Sequence, residues 1–416
     1  MLSTKENFYI NKEEKFCSNT YHPLPVVLSR GKGVYVWDVH GKKYFDFLSS
    51  YSAVNQGHCN RKILNAFLKQ SKKLTLTSRA FYNNELGNSL QYITSIFGYD
   101  KMLPMNSGAE AVEAALKICR KWGYEIKKVK KNKAKIIVCD GNFHGRTTTV
   151  ISFSSCNESK KNFGPLTLGF KIIDYNNVNK LEEALKKDKN IVGFLVEPIQ
   201  GEGGVVVPDD GYLKNSKKLC EKYNVLFIAD EIQTGICRTG KMLACDHEEI
   251  KPDIVILGKA LSGGFYPVSG VLANSDIMGV LKVGQHGSTF GGNPLGSVVA
   301  RESIKFAVDK DLSKNARIMG DLFRHNLEKL KDKHKLIKKV RGKGLLNAIV
   351  LDCEESSKIP WQLSIQMRNN GVLAKPTQGN KIRFAPPLII TKKQILKAVQ
   401  LIDTSFSELK YGYSSK

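Results

Sequence analysis

The chain has 416 residues, 42% apolar and 25% charged, with 64 Lys+Arg against 39 Asp+Glu for a net charge of +25. That length accommodates two domains around a large core, and the balance is that of a globular protein rather than a disordered or fibrous one. No apolar run approaches the ~18 residues of a membrane span, so no spanning helix is expected.

The N-terminal stretch MLSTKENFYINKEEKF carries Glu6, Glu13 and Glu14 and lacks both an apolar stretch and an arginine series. It does not resemble a signal or transit peptide, and a cytoplasmic location is the expectation. Nine cysteines form no CxxC pair and show no metal-ligand spacing to the eight histidines. They are expected as reduced thiols and no metal is expected; Cys156, in the polar segment SFSSCNESKK, is the one expected to be exposed. The positive charge is mostly lysine spread along the chain, densest at Lys127–Lys135. No interleaved aromatic motif accompanies it, so a solvated loop is favoured over a nucleic-acid-binding patch.

Taken in order, residues 31–49 alternate apolar and polar positions around Gly41, which predicts a hairpin or meander. Ile63, Leu64, Phe67 and Leu68 fall on one face of a helix. In PMNSGAEAVEAALKICRKW (104–122), Ser107 followed three residues later by Glu110 is a capping box, and its free N–H groups form a potential anion site. Strands at 135–141, 171–175 and 191–198 then alternate with helices at 178–188 and 210–223, which argues for a mostly parallel sheet covered on both faces. Two further apolar runs, Val225–Ala229 and Ile254–Leu257, end abruptly in charge at Asp230 and Lys259. Ligands in open α/β sheets lie beyond such strand ends, and an acid with a lysine there is what pyridoxal phosphate (PLP) requires. A glycine-rich loop at 286–297 precedes a long helical stretch to about residue 333, and the remainder reads as a smaller α+β region.

Nine ordered motifs resemble those of class III (subgroup II) aminotransferases, within the fold-type I PLP enzymes. They are YHPLP (21–25), SSYSAVNQGH (49–58), MNSGAEAVEAA (105–115), NFHGRT (142–147), EPIQGEGGV (197–205), ADEIQTG (229–235), GKALSGG (258–264), STFGGNP (288–294) and IRFAPP (382–387). The resemblance implies an α/β fold with a large PLP-binding domain at 56–290. An N-terminal segment, 1–55, would join a small α+β domain at 291–416, so that both chain ends build it.

By the same resemblance, Lys259 is expected to carry the cofactor and shuttle a proton, and Asp230 to pair with the ring nitrogen. Phe143 would stack on the ring and Gln233 would contact its O3′. Ser107, Gly108 and Ala109 would hold the phosphate, joined by Ser288 and Thr289 of a neighbouring subunit, which implies a homodimer with shared sites. Substrate choice is expected to rest on Tyr21, Tyr51, Arg146, Glu202 and Arg383. Arg146 and Tyr21 would take the remote carboxylate and α-amino group, and Arg383 the α-carboxylate of glutamate or 2-oxoglutarate. Glu202 would neutralise Arg383 when ornithine enters δ-amine first. The expected activity is δ-amino transfer from ornithine to 2-oxoglutarate, with acetylornithine or 4-aminobutyrate as alternative donors.

Overall fold

The computed structural model describes residues 3–409. Near the N-terminus the alternating segment folds as a meander of β1 (Leu28–Lys32), β2 (Tyr35–Asp38) and β3 (Lys43–Asp46). Gly41 makes the last turn at φ +84°, a conformation costly to residues with a Cβ.

The central sheet comprises β4 (Lys101–Met105), β5 (Lys135–Cys139), β6 (Phe170–Ile173), β7 (Ile191–Val196), β8 (Leu226–Asp230), β9 (Ile254–Leu257) and β10 (Ser269–Ala273). Their spatial order is β4-β10-β9-β8-β7-β5-β6. Only β10 runs antiparallel to its neighbours. Continuous apolar runs are used because both faces are covered. Ile136, Val138, Leu226 and Ile228 pack with the helix Gly108–Glu125, whereas Ile137, Cys139, Phe227 and Ala229 pack with the helices Val178–Lys187 and Tyr212–Lys222.

The expected long helical stretch is two helices, Pro294–Asp309 and Leu312–Lys333. Asp311, at φ +43°, breaks the first and caps the second by accepting a hydrogen bond from the Lys314 N–H. Beyond them lie β11 (Ile337–Lys343), β12 (Leu346–Leu351), β13 (Val372–Leu373), β14 (Lys375–Thr377) and β15 (Lys381–Phe384). The order β11-β12-β15-β14 makes an antiparallel sheet, while β13 pairs with β3, Val372 opposite Phe45.

Two devices lock these parts together. Phe47, Phe323 and Phe384 form an aromatic trio with centroids 5.5–6.2 Å apart. Arg238, fully buried, donates to the carbonyls of Leu345 and Pro386 and to the Asn55 side chain. Burial pulls its pKa down to about 9. Five cysteines are buried; Cys156 is exposed as expected, but Cys17 and Cys59 are exposed too. The lysine run at 127–135 is more than a solvated loop. Lys127 donates to the carbonyls of Ile191 and Tyr223, and Lys135 pairs with Asp188 at 2.6 Å.

Candidate active site

The parallel strands deliver their chemistry to one edge. Asp230 ends β8 opposite Ile256 of β9, so Lys259 follows three residues farther along the neighbouring strand. Phe143 and His144 follow β5, Glu197 follows β7, and Gly108 and Ala109 open the helix after β4. All of these line one cavity of about 210 Å³, together with Gln233, Glu202 and Ile232.

Lys259 stands at φ +39°, directly after Gly258. Its ammonium has no hydrogen-bond partner among the described residues. Burial lowers its pKa; Glu202, Asp230 and Glu197 oppose that shift, and Arg383 adds to it. Asp230, 4% exposed, accepts from His144 Nδ1 at 2.6 Å and from the Ile232 N–H at 3.1 Å. Burial acts to lower the His144 pKa, but the contact with Asp230 outweighs it and raises the value, while Nε2 is buried without a partner among the described residues. Phe143 stays 36% exposed with its ring at the cavity, 5.6 Å from the Arg146 guanidinium.

Two glycines are set by close approach. A Cβ on Gly108 would come within 3.0 Å of Ile232, and one on Gly201 within 1.7 Å of Gln233 Oε1. Ser107 and Glu110 form the expected capping box.

A second cavity of about 350 Å³ shares Phe143, His144 and Glu202 with the first and extends to Tyr51, Arg146, Lys375 and Arg383. Arg383, 2% exposed, pairs with Glu202 at 2.7 Å and donates to Gln233 Oε1 at 3.2 Å; Gln233 Nε2 donates back to Glu202 at 3.1 Å. Burial acts to raise the Glu202 pKa, but Arg383 and then Lys259 outweigh it and hold the carboxyl low. The Arg383 guanidinium also lies 5.2 Å from the Tyr51 ring.

Tyr51 reaches that position through an unusual backbone. Ser49, Ser50, Tyr51 and Ser52 all have positive φ, at 48°, 48°, 60° and 76°. Such residues cost about 1–3 kcal/mol each and persist only where the surroundings over-determine them. Here Asp46 Oδ1 accepts from the Leu48 and Ser49 N–H groups, and the Ala385 N–H donates to the Phe47 carbonyl.

Three expected site residues, Tyr21, Ser288 and Thr289, lie elsewhere, and Ser107 at the helix start lines neither cavity. Tyr21 is 73% exposed and lines neither cavity. Ser288 turns inward, accepting from Asn106 at 2.8 Å and from the Gly291 N–H at 3.0 Å, while Thr289 is exposed. Among the lining residues not singled out from sequence are His144, Glu197, Ile232 and Lys375. The first three sit inside quoted motifs beside chosen residues, and a polar or bulky side chain just past a strand end was the available signal.

Glu197 accepts from the Phe143 N–H at 2.8 Å and the Gly201 N–H at 3.2 Å. Burial pushes both Glu197 and Glu231 up to about 7. Because these folded-state values exceed the unfolded ones, the stability they supply is complete below about pH 4.5 and is lost as pH rises through 7. Urea unfolding of the cofactor-free chain at pH 5.5 and 8.5 should show a loss on the order of 2 kcal/mol per group. Glu231→Gln should flatten part of that slope; an unchanged slope would remove Glu231 as a cause.

The class-III aminotransferase family model matches residues 16–406. This chain belongs to the class-III aminotransferases. It is 55% identical to the Drosophila melanogaster protein named "Ornithine aminotransferase, mitochondrial", over 94% of this chain and 89% of that one. The ornithine aminotransferase structure from Toxoplasma gondii ME49 superposes with a TM-score of 0.94 at 48% identity, covering 98% of this chain and 96% of that one. A structure titled acetylornithine aminotransferase, from Elizabethkingia anophelis, gives 0.90 at 56% identity, covering 97% and 99%.

Class-III aminotransferases use PLP, and the cavity of this one fits that group. It offers a lysine with no hydrogen-bond partner among the described residues, a buried acid backed by His144, an aromatic face and a glycine at a helix N-terminus. Among the described residues no helix is long and apolar enough to cross a membrane.

Proposed function

We propose that this class-III aminotransferase transfers the δ-amino group of L-ornithine to 2-oxoglutarate, giving L-glutamate 5-semialdehyde and L-glutamate. The observation that carries the proposal is the Glu202–Arg383 pair at 2.7 Å, in which the guanidinium is buried and the carboxylate partly so. Ornithine entering δ-amine first places no carboxylate beside Arg383, and a bare buried guanidinium would be costly. Glu202 meets that charge in the first half-reaction. In the second it turns aside, and Arg383 holds the α-carboxylate by a charge-assisted pair.

Bound PLP supplies a carbonyl carbon that takes up the amino group and a ring that accepts the electrons of the broken C–H bond. The chain supplies the rest. Lys259, its pKa lowered by burial, takes the proton from the substrate carbon and returns it. Asp230, its carboxylate oriented by His144, would hold the ring nitrogen. Phe143 would cover one ring face, Gln233 would serve the ring oxygen, and Ser107, Gly108 and Ala109 would present the helix start to the phosphate. Arg146 takes the remote carboxylate, with Tyr21 assisting at the α-amino group. Tyr51 packs beside Arg383 and narrows the pocket for ornithine.

Purified protein supplied with PLP, ornithine and 2-oxoglutarate should form the semialdehyde. Borohydride should fix the cofactor on the peptide carrying Lys259. No semialdehyde under these conditions would end the proposal. Tyr51→Ile should lower kcat/KM for ornithine about 10–100-fold while changing that for 4-aminobutyrate far less.

A second reading, N-acetylornithine as donor, is favoured by the 56% identity to the acetylornithine aminotransferase structure. A higher kcat/KM for N-acetylornithine than for ornithine would establish it. We further propose a cytoplasmic homodimer in which exposed Thr289 reaches the neighbouring subunit's phosphate site, supported by Ser288. Sedimentation as a monomer at micromolar concentration would overturn the dimer.

A further inference from the structure

Lys375 of β14 stands directly opposite Arg383 of β15 in the antiparallel register. Residues so paired project from the same face of the sheet, and both side chains line the larger cavity. Like charges directly opposite destabilise a strand pair unless an anion meets them. Glu202 meets Arg383. Among the described residues no carboxylate lies within ion-pair distance of Lys375 or of Arg146. The Lys375 ammonium spends one of its three protons on the His22 carbonyl, at 2.6 Å, leaving two donors. The lining therefore sets Arg146, Lys375 and Arg383 against the single carboxylate of Glu202. When Glu202 turns aside, the uncompensated charge grows, and a substrate bearing two carboxylates offsets it better than one bearing a single carboxylate.

We propose that Lys375 is a specificity-determining residue that, with Arg146, receives the second carboxylate of a five-carbon dicarboxylic substrate and so favours it over monocarboxylic oxo acids. This rests on the aminotransferase activity proposed above. It does not depend on which amine is the donor.

The test uses the PLP-loaded enzyme and glutarate, a non-reacting dicarboxylate, in isothermal titration calorimetry. Lys375→Met should weaken glutarate about tenfold, the scale of one lost charge-assisted contact, and leave valerate binding unchanged. The ratio of kcat/KM for 2-oxoglutarate over pyruvate should fall by a similar factor, and Lys375→Arg should restore most of both.

Lys375 also steadies residues 21–25, whose His22 stacks on Trp361 at 4.1 Å. Trp361→Leu loosens that segment without removing the charge and should leave glutarate affinity intact. Glutarate affinity within about twofold of wild type in Lys375→Met, or an equal loss in Trp361→Leu, overturns the assignment. A Lys375-dependent glutarate site in an enzyme that refuses ornithine would refute only the donor assignment. An ornithine-using enzyme whose glutarate site ignores Lys375 would refute only this inference.

Discussion

Replacing Lys259 with alanine is expected to cut semialdehyde formation at least about 10⁴-fold, the upper range for loss of a positioned proton-transfer group. Among the described residues no other amine lines the inner cavity to substitute for it. The same change should leave the cofactor-free fold intact or slightly more stable. Removing it eliminates an ammonium that burial disfavours and that has no hydrogen-bond partner among the described residues. Activity loss with a melting temperature equal to or above wild type would mark Lys259 as a residue kept for chemistry at a cost in stability. Residual turnover above about 1% would mean another group moves the proton.

Asp230→Asn is expected to lower kcat by about 10²–10⁴. The amide is nearly isosteric but carries no charge to hold a ring nitrogen protonated, and each pKa unit lost there is about 1.4 kcal/mol. It also leaves His144 Nδ1 facing a neutral partner where a carboxylate accepts at 2.6 Å. His144→Asn should show a smaller fall, because it disturbs the acid's orientation and leaves its charge. Steady-state kcat for both variants, with the absorbance band of the bound cofactor, checks this order. An Asp230→Asn enzyme within tenfold of wild type would remove the acid from its role.

The inner cavity was the legible part. Asp230 and Lys259 stand out because apolar runs that can only be buried strands stop abruptly in charge. Ser107 and Glu110 announce a helix start by spacing alone. The outer cavity was less legible for physical reasons. Four successive left-handed residues at 49–52 contain no glycine or asparagine, so nothing local signals that turn. It exists because Asp46 and Ala385 hold it from outside. Lys375 opposite Arg383 follows from a strand register, and two lysine-containing stretches of a chain with 64 basic residues do not reveal which lysine faces a cavity. Tyr21, singled out by motif, sits on the surface because its segment is held by His22 and Lys375 rather than by its own ring.

The pairing of β3 with β13 has a consequence for synthesis. The whole central sheet lies between residues 101 and 273, so the cofactor-holding groups proposed on the chain's own sheet, the neighbouring subunit's Thr289 aside, are made while the C-terminal part is still being synthesised. Domains fold as units as they emerge. Tyr51 emerges early, yet its strained turn is held by Ala385, next to Arg383, and β3 waits for Val372. A nascent chain is therefore equipped to hold the cofactor before it is equipped to choose a substrate, and discrimination is the last property the newly made protein acquires.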